Sequence, residues 1–165
     1  MHDRLTQADI DKMQEEIDHR KLVVRKQALE DVKEARAQGD LSENFEYYAA
    51  KQFKNQNESR IRYLENMIKT AIIVEDDSKP AEAGLNKRVT VYFEDDDEIE
   101  EYKIVTAVRG NSLKGLITPE SPLGKALMGH SAGDRVFVNI NKDIGYYVEI
   151  RDVQASDEEE ALRKF

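Results

Sequence analysis

Two long stretches without proline or glycine, separated by one short break, dominate the first half of the chain. Residues 6–38 and 45–74 are rich in Glu, Lys, Gln, Arg and Ala, which favour the α-helix. Gly39 stands where a glycine commonly ends a helix, while Thr6 is placed to cap the first helix, with Asp9 in its first turn. We therefore predict two helices of roughly 45–50 Å each, at about 1.5 Å per residue.

Each predicted helix carries a single narrow apolar stripe along one side. The second helix has a stripe at a spacing of three or four residues, with one polar member: Phe53, Asn57, Ile61, Leu64, Ile68 and Ala71. The stripe of the first helix is looser and changes phase near Arg20; it consists of Ile10, Met13, Ile17, Val24, Ala28 and Val32. Two such helices joined by a loop of about six residues are typical of an antiparallel coiled-coil hairpin. Because the hairpin covers its own seam, we predict a monomer.

The second half of the chain changes to β-type patterns after a segment of linker composition. Residues 75–84 include Pro80 and Gly84, which prevent the helix from continuing. Beyond them, β-branched and aromatic segments predict strands at 88–93, 102–108, 135–140 and 146–150. Ser121 and Gly129 bracket one short helix. The sequence therefore predicts an α+β chain with a coiled-coil domain at 1–76, a linker at 77–84 and a small α+β domain at 85–165.

Composition limits the classes of function that this chain can serve. The 165 residues include no Cys, so disulfide frameworks, thiolate zinc sites and cysteine nucleophiles are excluded. The formal charge of −9 argues against sequence-independent binding to naked nucleic acid as the main activity. The sequence has neither the pattern of a signal peptide nor an apolar run long enough to cross a bilayer, which favours a cytoplasmic protein with no membrane partner.

Asp40 and Glu43 stand at the only break between the two predicted helices. Two carboxylates three residues apart can share a hard cation, and Mg²⁺ commonly takes one or two carboxylates together with waters and phosphates. The same spacing also fits a helix cap, with Asp40 as the N-cap and Glu43 bonding back to it. Because Mg²⁺ needs six ligands and no other cluster is predicted nearby, the two acids would complete a metal site in another protein. No self-contained enzyme is predicted.

Two charged segments leave alternatives open. Arg20, Lys21, Arg25 and Lys26 form a basic group without an intervening acid, which is either a solvated helix face or a patch that meets phosphates. Residues 94–101 hold seven acids in eight positions. Between two predicted strands, this acidic run most simply forms a solvated hairpin turn, because its spacing is not that of a calcium loop.

The motifs at the break and in the second half of the chain resemble those of the bacterial Gre transcript cleavage factors. Around the predicted hairpin, the resemblance rests on Ala35-Arg36, Gly39-Asp-Leu-Ser-Glu-Asn44, Glu46-Tyr47, Ala49-Ala-Lys51 and Arg60-Ile61. It continues with Ile117-Thr-Pro-Glu-Ser-Pro-Leu-Gly-Lys-Ala-Leu127 and Gly133-Asp134. The motifs keep the family's order and spacing over nearly the whole chain.

The resemblance implies a mode of action. The coiled coil would enter the secondary channel of RNA polymerase, and the second domain, of the FKBP-like type, would dock on the polymerase rim. Asp40 and Glu43 would help to hold an Mg²⁺ shared with the polymerase active site, with none expected in the free protein. The chain would thereby stimulate cleavage of the 3′ end of backtracked nascent RNA and rescue arrested complexes, while the polymerase performs the catalysis.

The resemblance also implies roles for three further groups of residues. The tip would be shaped by Leu41, Ser42 and Asn44 and supported by Tyr47. The rim contact would include Ser121, Pro122 and Leu123. The basic group Arg20, Lys21, Arg25 and Lys26 lies in the region where the family carries a basic patch that faces RNA.

The chain departs from the family at several positions. Phe45 stands where the family usually has Ala, and Tyr48 where it often has His, so their rings would either stack on a base or pack across the hairpin. Residues 107–112 replace a usual acidic motif. These departures motivate a second hypothesis, a non-catalytic regulator that occupies the secondary channel and inhibits or modulates nucleotide addition. A third, a coiled-coil adaptor unrelated to transcription, explains the helices but not the motifs of the second half.

Overall fold

The computed structural model describes residues 3–39 and 44–164. The chain divides into a compact helical unit, Gln7–Ile72, and a compact sheet unit, Ile73–Lys164 together with Arg4–Thr6. A helical hairpin followed by a mainly β region confirms the predicted α+β class. The exact domain and linker limits, 1–76, 77–84 and 85–165, stay a prediction. No helix within the described ranges is both long enough and apolar enough to span a membrane.

The helical unit is an antiparallel hairpin. Its first arm is built from α1 (Gln7–His19), a π-helical segment (Arg20–Val24) and α2 (Arg25–Arg36), and its second arm is α3 (Phe45–Thr70). Contacts between the arms pair early residues of one with late residues of the other: Glu16 with Arg60, Arg20 with Asn57, and Ala35 with Asn44. The π-helical segment lies where the sequence stripe changes phase, because a π-turn holds one residue more than an α-turn.

The seam between the arms is narrower than the sequence stripe predicts. The buried residues of the arms include Met13, Ile17, Ala28, Ala35, Asn57, Ile61 and Leu64. Phe53, a predicted member of the stripe, is half exposed, so that prediction is wrong. The buried residues of α2 are Ala28 and Ala35, and close packing against their small side chains leaves a large ring outside.

Both arms begin near their predicted positions, but the second ends earlier. The first arm begins at Gln7, which places Thr6 at the N-cap position. We predicted that the second helix continues to residue 74, whereas α3 ends at Thr70. The next residues, Ile72–Ile73, form strand β2, which pairs with β1 (Arg4–Leu5). The correction has a physical basis, because β-branched side chains favour the extended backbone over the helix.

The sheet unit contains one five-stranded sheet in the order β5-β4-β3-β7-β6. Its strands are β3 (Lys87–Phe93), β4 (Glu98–Ile104), β5 (Leu116–Ile117), β6 (Arg135–Asn141) and β7 (Ile144–Ala155). Neighbouring strands are antiparallel except for β4 and β5, which are parallel. The core of the unit includes Val89, Val91, Ile104, Leu127, Val138, Val148 and Ile150.

The structure changes the predicted limits around the acidic run. The predicted strand 102–108 is instead β4, which begins at Glu98 within the run and ends at Ile104. Ala107–Arg109 forms a 3₁₀-turn, so the prediction of a strand there is wrong. The predicted hairpin is confirmed, because residues 94–97 turn the chain between β3 and β4 and the Tyr92 hydroxyl donates to Asp97 over 2.7 Å.

A short helix and an irregular tail complete the sheet unit. Helix α4 (Pro122–Leu127) begins as predicted, since the Ser121 hydroxyl oxygen accepts the Gly124 N–H at 3.1 Å. We call residues 156–164 the tail. The tail has no regular secondary structure, yet it is fastened to the unit at both ends: the Ser156 N–H donates to the Asn86 carbonyl, and the Arg163 N–H to the Val108 carbonyl.

Candidate functional site

The predicted metal ligands Asp40 and Glu43, and the neighbouring tip residues Leu41 and Ser42, lie outside the described residues. The first arm is described up to Gly39. Its backbone φ angle is 126°, a value that residues other than glycine rarely adopt. The chain is described again from Asn44. The geometry of the candidate site is therefore defined by the residues that flank the acid pair on its two sides.

Asn44 fastens the two arms to each other beside the acid pair. Its side-chain oxygen accepts the Tyr47 N–H at 3.0 Å, which makes it the N-cap of α3. Its side-chain amide donates to the carbonyl of Ala35, near the end of α2, at 2.6 Å. The alternative in which Asp40 caps the second helix is wrong, because the helix begins at Phe45 and Asn44 occupies the cap position.

Tyr47 makes a second connection between the arms in the first turn of α3. The Arg36 guanidinium donates to the Tyr47 hydroxyl at 3.4 Å and lies 5.7 Å from the centre of its ring. The hydrogen bond from Arg36, aided by the positive charges of Lys51 and Lys54, lowers the pKa of Tyr47 despite partial desolvation. The family resemblance implied that Tyr47 supports the tip, whereas its pairing with Arg36 is visible only in the folded hairpin.

Two aromatic rings beside the acid pair are open to solvent. Phe45, the first residue of α3, is 86% exposed, so it does not pack across the hairpin. Tyr48 is about half exposed, and its ring meets that of Tyr47 edge-on at 5.5 Å between centroids. An exposed ring at the start of a rigid helix is a surface on which a planar group can stack.

No complete metal site is present at the hairpin end within the described residues. Within residues 3–39 and 44–164, no group of three or more side chains is arranged to hold a metal ion. A groove between the arms is lined by Asp31, Glu34 and Glu46 along with small and amide side chains, but it contains no such group. Asp40 and Glu43 are oxygen donors of the kind that Mg²⁺ prefers, and two carboxylates would leave most of its six positions to another source.

The predicted basic group on the first arm is largely neutralised within the hairpin. The Arg20 guanidinium lies 2.7 Å from Glu16, Lys21 lies 2.8 Å from Glu65, and Arg25 forms a two-bond contact with Glu58 at 2.9 and 3.0 Å. Lys26 is exposed. Two of these three acids, Glu58 and Glu65, lie on the other arm and approach the basic group only when the hairpin folds, so a local sequence pattern could not reveal them.

Of the three predicted rim residues, only two offer atoms at the surface of the sheet unit. Ser121 is half-buried and uses its hydroxyl both to cap α4 and to donate to the Thr118 carbonyl at 2.7 Å. Pro122 is exposed. Leu123, only 9% exposed, packs into the apolar core. Its position is better suited to holding α4 on the sheet than to touching a partner.

Comparison with known proteins extends over both units. Residues 4–73 match the family described as transcription elongation factor, N-terminal, and residues 72–155 match transcription elongation factor, GreA/GreB, C-term. Transcription elongation factor GreA of Geobacillus kaustophilus is 42% identical over 81% of this chain and 85% of its own length. GreA of Mesoplasma florum is 41% identical over 90% of this chain and 96% of its own length.

The similar solved structures are more distant in sequence. The transcription factor Gfh1 is 24% identical, covers 93% of this chain and 97% of its own, and gives a TM-score of 0.46. The GreA/GreB factor from Nitrosomonas europaea is 22% identical, covers 57% of this chain and 78% of its own, and gives a TM-score of 0.39. The sequence matches to both halves confirm the resemblance inferred from the motifs, and this chain belongs to the GreA/GreB family of transcription elongation factors.

Proposed function

We propose that this chain binds RNA polymerase and stimulates the polymerase to cleave the 3′ end of backtracked nascent RNA, so that arrested complexes resume elongation. In this proposal the chain is not an enzyme by itself. The hairpin enters the secondary channel, Asp40 and Glu43 act at the polymerase active site, and the sheet unit binds the rim. Membership of an elongation factor family supports this proposal, as does the retained acid pair.

The observation that carries the proposal is the cap of α3. Because Asn44 fills the N-cap position, α3 does not need Asp40 or Glu43 as its cap, which supports a role for the two acids as ligands. Asn44 and Tyr47 also connect both arms next to the acids. Such preorganisation is what a site needs when its function is to position groups for chemistry performed elsewhere.

The chemistry is hydrolysis of a phosphodiester bond. A second Mg²⁺, when bound in the polymerase, supplies charge that assists an attacking water or a leaving oxygen. Asp40 and Glu43 would contribute carboxylate oxygens to the shell of this ion and would accept hydrogen bonds from the water, which would orient it. Leu41, Ser42 and Asn44 shape the tip, and Tyr47 supports it. The free chain holds no Mg²⁺ of its own in this proposal, since two ligands are too few.

The sheet unit provides the outer contact with polymerase. Ser121 and Pro122 contact the rim, while Leu123 holds α4 in place from the core side. On the first arm, the basic group faces the extruded RNA mainly through Lys26. Arg20, Lys21 and Arg25 contribute less, since they are already paired with acids of the hairpin.

The test follows end-labelled RNA in backtracked elongation complexes that contain the cognate polymerase and Mg²⁺. Wild type is compared with Asp40→Asn/Glu43→Gln. The proposal expects loss of stimulated cleavage in the variant, by a factor on the order of 10² or more, because ligands that act on a transition state are lost. The double variant is also measured for polymerase binding, so that loss of cleavage is separated from loss of the complex.

The matched control is Asp31→Asn/Glu46→Gln, which neutralises two carboxylates on the two arms near the same end of the hairpin. This control should cleave like wild type. Equal loss in both variants would show a general effect of charge, and full activity of Asp40→Asn/Glu43→Gln would overturn the assignment of the acid pair.

The second candidate is a non-catalytic regulator of the secondary channel. The exposed rings of Phe45 and Tyr48 favour it, because bulky groups next to the acids could obstruct the path of a nucleotide. Slower nucleotide addition without shortening of the RNA, in complexes that contain bound wild type, would support this candidate over the first. Restoration of cleavage by Phe45→Ala would then identify the ring as the obstruction.

A further inference from the structure

The sheet unit contains a cluster of basic residues, of which Arg88 also forms an ion pair within the sheet, with Glu101 of β4 at 3.3 Å. Arg88 on β3 and Lys103 on β4 are directly opposite each other in the antiparallel register. Arg109 follows in the adjoining 3₁₀-turn. Lys103 is 1% exposed and Arg109 is also buried. Like charges on opposite strand positions repel, and a buried ammonium needs a partner, so this basic cluster requires nearby anionic or carbonyl oxygens.

The tail supplies these oxygens. The Lys103 ammonium contacts the Glu160 carboxylate at 2.8 Å and donates to the Glu158 carbonyl. The guanidinium of Arg88 pairs with the Glu158 carboxylate, and that of Arg109 donates to the Glu160 carbonyl. The Arg109 guanidinium also lies 3.5 Å from the Glu159 carboxylate, so the basic cluster binds three successive acidic residues through both side chains and main chain.

The tail is attached in the manner of a ligand rather than a core element. It lies mostly at the surface, and the members of the apolar core all precede residue 154. The match to the family's C-terminal domain ends at residue 155, immediately before the tail. Contacts that rest on charge and hydrogen bonds, with little apolar burial, can be exchanged for equivalent contacts from another molecule.

We propose that the basic cluster Arg88, Lys103 and Arg109 is a docking surface for an acidic polypeptide segment of a partner protein, and that the tail occupies it in the free chain as an internal competitor. The proposal does not depend on the cleavage activity. An intramolecular competitor acts at an effective concentration in the millimolar range, so a partner must either bind strongly or present its acidic segment locally.

The contacts indicate a polypeptide rather than a nucleic acid as the occupant. Two main-chain carbonyls of the tail accept from Lys103 and Arg109. At the two ends of the tail, main-chain N–H groups donate to the carbonyls of Asn86 and Val108. A phosphate backbone offers acceptors but no such donors. The surface therefore fits a polypeptide chain with Glu or Asp at successive positions.

The test uses the full chain with Glu158→Lys/Glu160→Lys, in which the tail carries the same charge as its site. The probe is a fluorescent synthetic peptide with the sequence of residues 155–165, and the readout is its anisotropy at low ionic strength. We expect the variant to bind the probe at least about tenfold more tightly than wild type, and added salt to weaken the binding. Adding Arg109→Gln to the variant should remove most of this gain.

The matched control is Asp96→Lys/Glu98→Lys, which makes the same charge change at the same spacing in the exposed β3–β4 hairpin and should bind the probe like wild type. Amide hydrogen exchange at Ser156 and Arg163 reports whether the tail has left its site. If the charge reversal prevents folding, Glu158→Gln/Glu160→Gln replaces it. This variant weakens the attachment of the tail by removing the two negative charges without introducing positive ones.

Three results would overturn the proposal. The first is a released tail without improved binding of the peptide. The second is slow exchange at Ser156 and Arg163 in both tail variants, which would make the tail a fixed part of the unit. The third is an oligouridylate that binds the released variant more tightly than the peptide and displaces it, which would make the surface a nucleic-acid site.

Discussion

Asn44 serves both arms of the hairpin with a single amide side chain. Its oxygen caps α3 and its nitrogen satisfies the Ala35 carbonyl at the end of α2. Asn44→Ala should lower the free energy of unfolding of the hairpin by about 1–2 kcal/mol, through loss of the cap and of a hydrogen bond. Urea unfolding measures the change.

Asn44→Asp separates the two contributions of this side chain. Aspartate keeps an acceptor for the Tyr47 N–H but has no donor for the Ala35 carbonyl. We therefore expect its loss of stability to lie between zero and that of Asn44→Ala. A loss as large as that of the alanine variant would mean that the cap contributes little.

Glu16 makes the stability of the hairpin depend on pH. Burial alone would raise the pKa of Glu16, but hydrogen bonds and positive charges from Arg60 and Arg20 outweigh it and hold the pKa below its ordinary value of 4.5. A lowered pKa stabilises the folded state above the unfolded pKa, and this contribution disappears as the pH falls through the folded pKa.

The corresponding variant is Glu16→Gln, which should be less stable than wild type at neutral pH by roughly 1–3 kcal/mol, because charge-assisted hydrogen bonds are weakened. The difference between the two proteins should shrink as the pH falls below 4.5. Urea titrations across this range measure it. A difference that stays constant with pH would exclude Glu16 as the titrating group.

The sequence pattern identified residues 39–44 as the segment between the two helices, but it could not show which residue of this segment caps α3. Asp40, Ser42 and Asn44 are all good N-caps by type. The choice of Asn44 depends on the Ala35 carbonyl, which lies on the other arm and reaches Asn44 only when the hairpin closes. A local pattern contains no information about such a partner. The same limit applies to Lys21 and Arg25, whose acids are on α3.

At the scale of the element, α4 depends on one glycine. A methyl group added at Gly124 would lie 1.9 Å from the Thr118 carbonyl oxygen, where no side chain can be accommodated without a shift of backbone. Gly124→Ala should therefore destabilise the sheet unit by roughly 1–3 kcal/mol, despite the better helix propensity of alanine. Thermal unfolding measures the loss.

Lys125→Ala is the control for this substitution, since Lys125 is an exposed neighbour on the same helix. It should change stability by less than about 0.5 kcal/mol. Equal stability of Gly124→Ala and Lys125→Ala would mean that α4 can move away from Thr118 at little cost.

Element type was predictable wherever the apolar pattern was local. The arms, strands β3 and β6 and the capped start of α4 follow from their own residues. The failures have a tertiary origin. Strand β4 includes acidic residues such as Glu100 because each residue from Glu98 to Lys103 has a partner residue on β3. Two-residue strand β5 has no pattern of its own, and β7 extends to Ala155 because β3 continues to pair with it.

For the whole molecule, the hairpin already covers its apolar seam. Met13, Ile17, Ile61 and Leu64 are buried within a single chain. A narrow seam that is satisfied internally leaves little to drive association through the arms. Sedimentation equilibrium should accordingly give the mass of one chain at all accessible concentrations. A dimer that persists on dilution would contradict this prediction.

The π-helical segment has a consequence for how the first arm tolerates changes in length. Its Arg25 N–H donates to the Arg20 carbonyl five residues earlier. The arm therefore contains one residue more than a continuous α-helix between the same two ends would have. Deleting Leu22, which is 75% exposed, should convert this turn to an α-turn while α1 and α2 keep their orientations. Deleting Leu29 from α2 instead would rotate Ala35 by about 100° away from the seam. Thermal unfolding should find the first deletion tolerated and the second disruptive, so the arm can shorten by one residue at this position without turning its far end.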